Sequence, residues 1–261
     1  MKKLFWLLIP LLINAKEHFA KLEPIETITI KSSASGIVKI AKENLEGKVA
    51  NGLVIKIDDS LDKIDLKNTK ASIAILKDMI AINKKLLPSL QKNLQKKYQL
   101  YKKLLPVAAS SQNQKDTLYN AFINAKVQLS STKEKIKNFQ NQIVSLEKTK
   151  AHLKDIINKK NIKVSNKYIY KLYPKKGEFV TVGAPLLKLN DISKAKLTLF
   201  LSEDELKDIK NKKIYINGKE TKLKFNKIWK IADEEFISSY KAEIILNPIE
   251  RFSKLVKVEI K

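Results

Sequence analysis

Side chains able to do covalent or metal chemistry are few here, and they do not converge. The 261-residue chain has two histidines and no cysteine, so thiolate nucleophiles, disulfides and thiolate metal sites are unavailable. His18 lies near the N-terminus and His152 in a helical stretch next to an apolar position, which reads as solvated and not liganding. Apart from Met1 the only methionine is Met79, beside Ile80, where it reads as core filler. The clustered soft ligands of a copper or silver carrier are missing. Glu203, Asp204 and Glu205 follow Ser202 at a helix start, where capping is their expected role. Glu234-Glu235 reads as a solvated turn, and no phosphate-cradling glycine loop is present. Catalysis needs titratable groups converging on a pocket; none is expected, nor is a cofactor or a metal.

The abundant reactive type is lysine. The formal charge is +25, which raises the question of a polyanion partner. The cations are spread over the whole chain, and every one except Arg251 is lysine. Arginine is the residue favoured for bidentate phosphate and base recognition. A solvated lysine surface is therefore the expectation, and no specific nucleic-acid site.

The elements that must carry these residues are unusual. From Leu61 to Ile157 the pattern reads as two long helices folded back on each other. In the second arm Leu118, Phe122, Ala125, Leu129, Thr132, Ile136, Phe139, Ile143 and Leu146 alternate steps of four and three, a heptad seam. The first arm has a matching series at Leu76, Ile80, Asn83, Leu87, Leu90, Leu94, Lys97, Tyr101 and Leu104. Each arm then has one narrow stripe to bury, against the other. Residues 105–113 break the pattern, because Pro106 lacks an N–H and disfavours helix in the residue before it. At ~1.5 Å per residue the arms would reach roughly 65–70 Å. Pro88, inside the first arm, predicts a local bend or break there.

At the N-terminus, Met1-Lys2-Lys3, the apolar run Leu4 to Ile13 and Ala15 predict a cleaved signal peptide over residues 1–15. The run is short of the ~20 residues a spanning helix needs. A polar segment to Pro24 precedes a strand at Ile25 to Ile30. Short strands follow at Gly36 to Ile40 and Leu53 to Ile57, with Asn51-Gly52 as a tight turn between strands. Asp58-Asp59-Ser60 offers N-cap chemistry for the first arm. After the hairpin the order of parts repeats: strands at Ile162 to Val164 and Tyr168 to Leu172, a turn into a strand at Lys176 to Val180, and a strand at Leu186 to Leu189. Two half-units flanking one insertion would close as a small sandwich. The remainder predicts strands at Ala195 to Leu201, Lys213 to Ile216, Lys222 to Trp229, Tyr240 to Leu246 and Leu255 to Ile260, with a hairpin turn at Asn217-Gly218. That run suggests a small barrel.

This order of parts resembles the periplasmic adaptor subunits, or membrane fusion proteins of the HlyD type, of tripartite efflux and secretion systems. The resemblance is carried by Gly36-Ile-Val, Glu46-Gly-Lys-Val, Asn51-Gly and Ile57-Asp-Asp in the first half. In the second it is carried by Gly177-Glu-Phe-Val, Val182-Gly-Ala-Pro-Leu-Leu and Leu189-Asn-Asp-Ile-Ser. It implies an elongated α+β protein, in which an antiparallel coiled-coil hairpin is inserted between two halves of a lipoyl-like β-sandwich and a small β-barrel follows. The implied boundaries are 25–60 and 159–190 for the lipoyl-like halves, 61–158 for the hairpin with its tip at 105–113, and 191–261 for the barrel. It also implies a periplasmic, non-enzymatic adaptor that links an inner-membrane transporter to a TolC-like outer-membrane channel as a homo-oligomer, commonly a hexamer. A resistance-nodulation-division pump is the commoner transporter and an ABC exporter the runner-up; a basic coiled-coil polyanion binder is the reading from another class. For the channel contact the resemblance singles out Leu104, Ser111 and Asp116, while Leu100 stands where the family has arginine.

Overall fold

The computed structural model describes residues 16–261; the expected signal peptide lies outside them. Strands β1 (Glu17–Lys31), β2 (Gly36–Ala41) and β3 (Val49–Ile57) precede helices α1 (Ser60–Leu104) and α2 (Gln112–Lys159). Strands β4 (Asn161–Leu172), β5 (Phe179–Val180) and β6 (Pro185–Ser202) follow, then the one-turn helix α3 (Glu203–Leu206). The chain ends in β7 (Ile214–Ile216), β8 (Lys219–Thr221), β9 (Phe225–Ala232), β10 (Ser239–Leu246) and β11 (Leu255–Ile260). It divides into two compact units: residues 57–162 form one, and the chain on either side of them forms the other.

In the β unit the strand order is β5-β2-β3-β4-β6-β1-β11-β7-β8, with β10 branching from β6 and β9 from β10. Two long strands hold this sheet together. Antiparallel strand β1 pairs through Leu22 to Lys31 with β6, and through Glu17 to Lys21 with β11. Strand β6 pairs with β4 at Leu187 to Asn190 and with β10 at Ala195 to Ser202. Period-2 alternation sends Ala195, Leu197, Leu199 and Leu201 to one face. There they are buried with Ala20, Leu22, Ala242, Ile244, Val256 and Val258. Towards the other end of β6, Leu186 and Leu187 are fully buried, as are Val38, Val54 and Ile169.

Several expectations change. Residues 17–24, expected as a polar segment, are the first half of β1; Glu17 to Lys21 pair with β11 at the far end of the chain, where a local pattern cannot point to it. Asn51-Gly52 does not turn between strands but lies inside β3. Gly52 takes the left-handed φ of +89° that suits glycine, and the Asn51 side-chain oxygen accepts a hydrogen bond from the Asn166 N–H at 2.6 Å. The strands expected at 186–189 and 195–201 are one strand, β6. The strand expected at Lys222 starts three residues later, at Phe225. Asn217-Gly218 does turn β7 into β8, both residues having positive φ. The strands after residue 191 do not close on themselves: the path runs from β5 to β8, and β9 and β10 form a side branch.

In the helical unit, the burial pattern follows the predicted seam. Every position of both predicted series is buried or half-buried, and the same 4-3 rhythm continues to Asp62 in α1 and to Leu153 in α2. Helix α1 runs without a break through Pro88, so of the expected bend or break the break does not occur. Pro88 is solvent-exposed while its neighbours Leu87 and Leu90 lie in the seam. The Lys84 carbonyl it leaves without an N–H is therefore on the wet side, and packing on the other side holds the helix together.

Candidate functional site

The helical unit is pinned at its base and exposed at its tip. At the base Asp59 is almost fully buried. It does not cap α1 through its side chain. Instead it accepts from Asn161 Nδ2 at 3.0 Å and pairs with Lys63 at 2.8 Å, while Lys160 Nζ meets Asp62 at 2.5 Å. The first-turn hydrogen bond comes from Asp58, whose Oδ1 accepts from the Ser60 N–H at 3.1 Å. A backbone bond from the Ile57 N–H to the Lys160 carbonyl closes the same end.

At the tip, α1 ends at Leu104 and α2 begins at Gln112. Leu105 N–H bonds back to the Tyr101 carbonyl, Val107 N–H to Leu104, and Ser110 N–H to Val107. Lys102 and Lys103 occupy the last turn of α1, where cations suit the negative end of the helix dipole. Ser111 is the N-cap of α2: its hydroxyl accepts from the Gln114 N–H at 3.3 Å and the Gln114 side chain accepts from the Ser111 N–H at 3.2 Å. That capping box fixes where the chain turns.

The four residues singled out for the channel contact fall in different environments. Leu104 is half-buried, the last rung of the seam. Ser111 is exposed and occupied by the cap. Asp116 is exposed and accepts from Gln112 Nε2 at 2.9 Å, one turn along α2. Leu100 is 42 % exposed, off the seam. Among the nearby lysines, Lys97 is half-buried in the seam, and Lys102 and Lys103 are exposed.

Three features escaped the sequence reading. Leu105 and Val107, 47 % and 43 % exposed, join Leu100 to give the tip an apolar surface. Behind it four rings gather: Tyr98 with Phe122 and Tyr101 with Tyr119, both at 5.3 Å between centroids, and Tyr101 stacked on Phe122 at 6.4 Å with a 5° interplanar angle. Aromatic pairs three apart on both arms, Tyr98/Tyr101 and Tyr119/Phe122, were the available signal. Such contacts add about 0.5–1.5 kcal/mol each beyond burial, so the last turns before the apolar tip are stiffened. The third feature is a second stripe on α1. Ile75, Met79, Ile82 and Leu86 repeat the 4-3 spacing one residue ahead of the seam, and all four are exposed. Met79 is thus not core filler.

Metal and acid-base chemistry finds no comparable cluster. Among the described residues no three His, Cys, Asp or Glu side chains gather as a metal site. His152 is exposed. His18 Nε2 lies 2.6 Å from Glu205 Oε1. Burial pushes the Glu205 carboxyl up, but hydrogen bonds from the Ser202 N–H, His18 and the Ser202 hydroxyl outweigh it and hold the pKa down at about 2. Ser202 and Glu205 form the capping box of α3, and the His18 contact to Glu205 ties the start of β1 to it. No described helix is long and apolar enough to cross a membrane.

No protein-family model and no curated protein matches the sequence. By structure the chain is similar to MacA from Actinobacillus actinomycetemcomitans, with TM-score 0.64 and 18% identity over 95% of this chain and 78% of that one. A putative efflux transporter from Bacteroides eggerthii matches 94% of this chain and 68% of its own, with TM-score 0.53 and 12% identity. A membrane fusion protein from Streptococcus pneumoniae matches 94% of this chain and 98% of its own, with TM-score 0.54 and 9% identity. The chain therefore has the fold of the membrane fusion proteins.

Proposed function

We propose that this protein is a periplasmic adaptor of an efflux system, a structural link between an inner-membrane transporter and a TolC-like outer-membrane channel. The observation that carries this reading is a two-helix unit pinned at its base by Asp59, Asp62 and Lys160 and ending in an exposed apolar tip. It stands on a fold likeness that spans nearly the whole chain. Helices of 45 and 48 residues correspond to roughly 68–72 Å at ~1.5 Å per residue, a length useful for spanning and not for enclosing a substrate.

In this reading the strands on either side of the helices, 25–60 and 159–190, are the halves of a lipoyl-like sandwich, and 191–261 is the domain that serves the transporter. The transporter is of the resistance-nodulation-division type, with an ABC exporter as the second choice. Leu100, Leu104, Ser111 and Asp116 belong to the channel contact. Because Leu100 replaces the usual arginine, the contact is apolar, through Leu100, Leu105 and Val107. Several copies assemble side by side, commonly six. The stripe Ile75, Met79, Ile82 and Leu86 supports that assembly, since an exposed apolar seam on a rod needs a partner along its length. The function is assembly and not catalysis.

Affinity recovery of the full chain from native membranes tests the reading. Both an inner-membrane transporter and an outer-membrane channel are expected with it, and Leu100→Asp with Val107→Asp should lose the channel while keeping the transporter. Recovery of neither membrane protein would refute the proposal.

A further inference from the structure

The β unit holds a cavity of about 610 Å³ that the adaptor reading does not use. Two stretches line it, 209–214 and 221–228, from the turn after α3 and from the segment leading through β8 into β9. Its floor is apolar: Ile214 is buried, and Ile209, Leu223, Phe225 and Ile228 are half-buried and pack against the core behind. Its walls are cationic. Lys210, Lys212, Lys213, Lys222, Lys224 and Lys227 line it, and no acidic residue does. Six lysines among 14 lining residues is about twice the chain's own frequency of roughly one in five.

Three of these lysines are already engaged. Lys212 Nζ donates to the Glu205 carbonyl at 2.9 Å, Lys213 pairs with Glu220 at 2.8 Å, and Lys227 sits over the Trp229 ring at 4.1 Å. Lys210, Lys222 and Lys224 are exposed and have no carboxylate partner among the described residues. These three residues line the cavity together with its apolar floor, within a volume typical of small-molecule sites. An alkyl chain gains from covering the floor, and an anionic head gains from the uncompensated ammoniums. Neither a bare anion nor a neutral alkyl chain uses both.

We propose that this cavity binds a single-chain amphipathic anion, such as a medium-chain carboxylate, with the chain over Leu223, Phe225 and Ile228 and the head held by Lys210, Lys222 and Lys224. The site is independent of the adaptor reading, and its test does not involve the transporter or the channel.

Calorimetric titration of the full chain with monomeric dodecanoate tests it, with acetate and dodecyl maltoside as single-property controls. Saturable binding of dodecanoate is expected. Acetate should give no measurable heat of binding, and the neutral detergent should bind at least tenfold more weakly. Lys222→Gln with Lys224→Gln changes exposed side chains only, and should weaken dodecanoate by roughly tenfold while leaving the far-ultraviolet spectrum unchanged. Leu223→Gln should weaken dodecanoate as well. Equal binding of dodecanoate and dodecyl maltoside, no saturable binding, or an unchanged affinity in the double lysine variant would each overturn the proposal.

Discussion

The two units hold themselves together in different ways. Helices α1 and α2 together bury six side chains, Thr69, Ile73, Ala125, Leu129, Ile136 and Leu153. Strand β6 alone, in 18 residues, buries seven: Leu186, Leu187, Leu189, Ala195, Leu197, Leu199 and Leu201. A residue in the sheet core is surrounded on all sides, whereas a seam residue meets only the rungs opposite and next to it. Damage in the sheet is therefore shared by the whole unit, and damage in the seam stays near its rung.

The sharpest way to break that comparison is to cut equivalent side chains in both places. Leu199→Ala leaves a cavity under a fully packed strand and should cost about 3–5 kcal/mol in urea unfolding of the β unit. Ile136→Ala, buried in the seam but with side chains on fewer sides, should cost less, about 2–3 kcal/mol, because the rung can relax towards the solvent around it. Hydrogen exchange should place its effect within a turn or two of residue 136. Equal costs, or exchange rising along the whole of α2, would mean that the helical unit has a shared core after all.

Pro88 sharpens the comparison in the stabilising direction. It lacks the N–H that α1 would use at that position, yet the helix is continuous. Pro88→Ala restores the bond to the Lys84 carbonyl and should stabilise the helical unit by about 1–3 kcal/mol, read as slower exchange at residues 84–92. No change, or destabilisation, would mean that the proline shapes a contact on the exposed face.

A smaller effect concerns the β unit alone. The Glu205 carboxyl is held at about 2, below the usual 4.5. A group depressed on folding contributes stability above its unfolded value and loses it as pH falls towards the folded one. The contribution is thus complete above about pH 4.5 and fades towards pH 2. Glu205→Gln should flatten the stability profile across that window, at a cost on the order of 1 kcal/mol at neutral pH after solvent screening. His18, Lys16 and the N–H and hydroxyl of Ser202 face this carboxylate, so the same profile with His18→Gln separates the imidazole from the cap.

The same contrast decides what could be read from the sequence. The seam was legible rung by rung, because a heptad is local and its partner arm follows in the chain. The cap at Ser202 was legible for the same reason. The sheet was legible only as fragments. Residues 17–21 become a strand by pairing with β11, more than 230 positions away, and the join of 186–189 to 195–201 rests on β1 pairing on both sides of the gap. Asn51-Gly52 misled because its turn chemistry served a left-handed residue inside β3. At the tip, Leu104, Ser111 and Asp116 were singled out by resemblance alone. The apolar surface of Leu105 and Val107, the aromatic cluster behind it and the outer stripe of α1 needed exposure values that a heptad pattern does not contain.

The central claim is that the tip and the β unit serve different membrane proteins. In-cell photocrosslinking from Gln112 at the tip and from Lys219 at the start of β8 tests it most directly. The account predicts that Gln112 captures an outer-membrane channel and Lys219 an inner-membrane transporter. Capture of one and the same partner from both positions, or of cytoplasmic proteins alone, would contradict it.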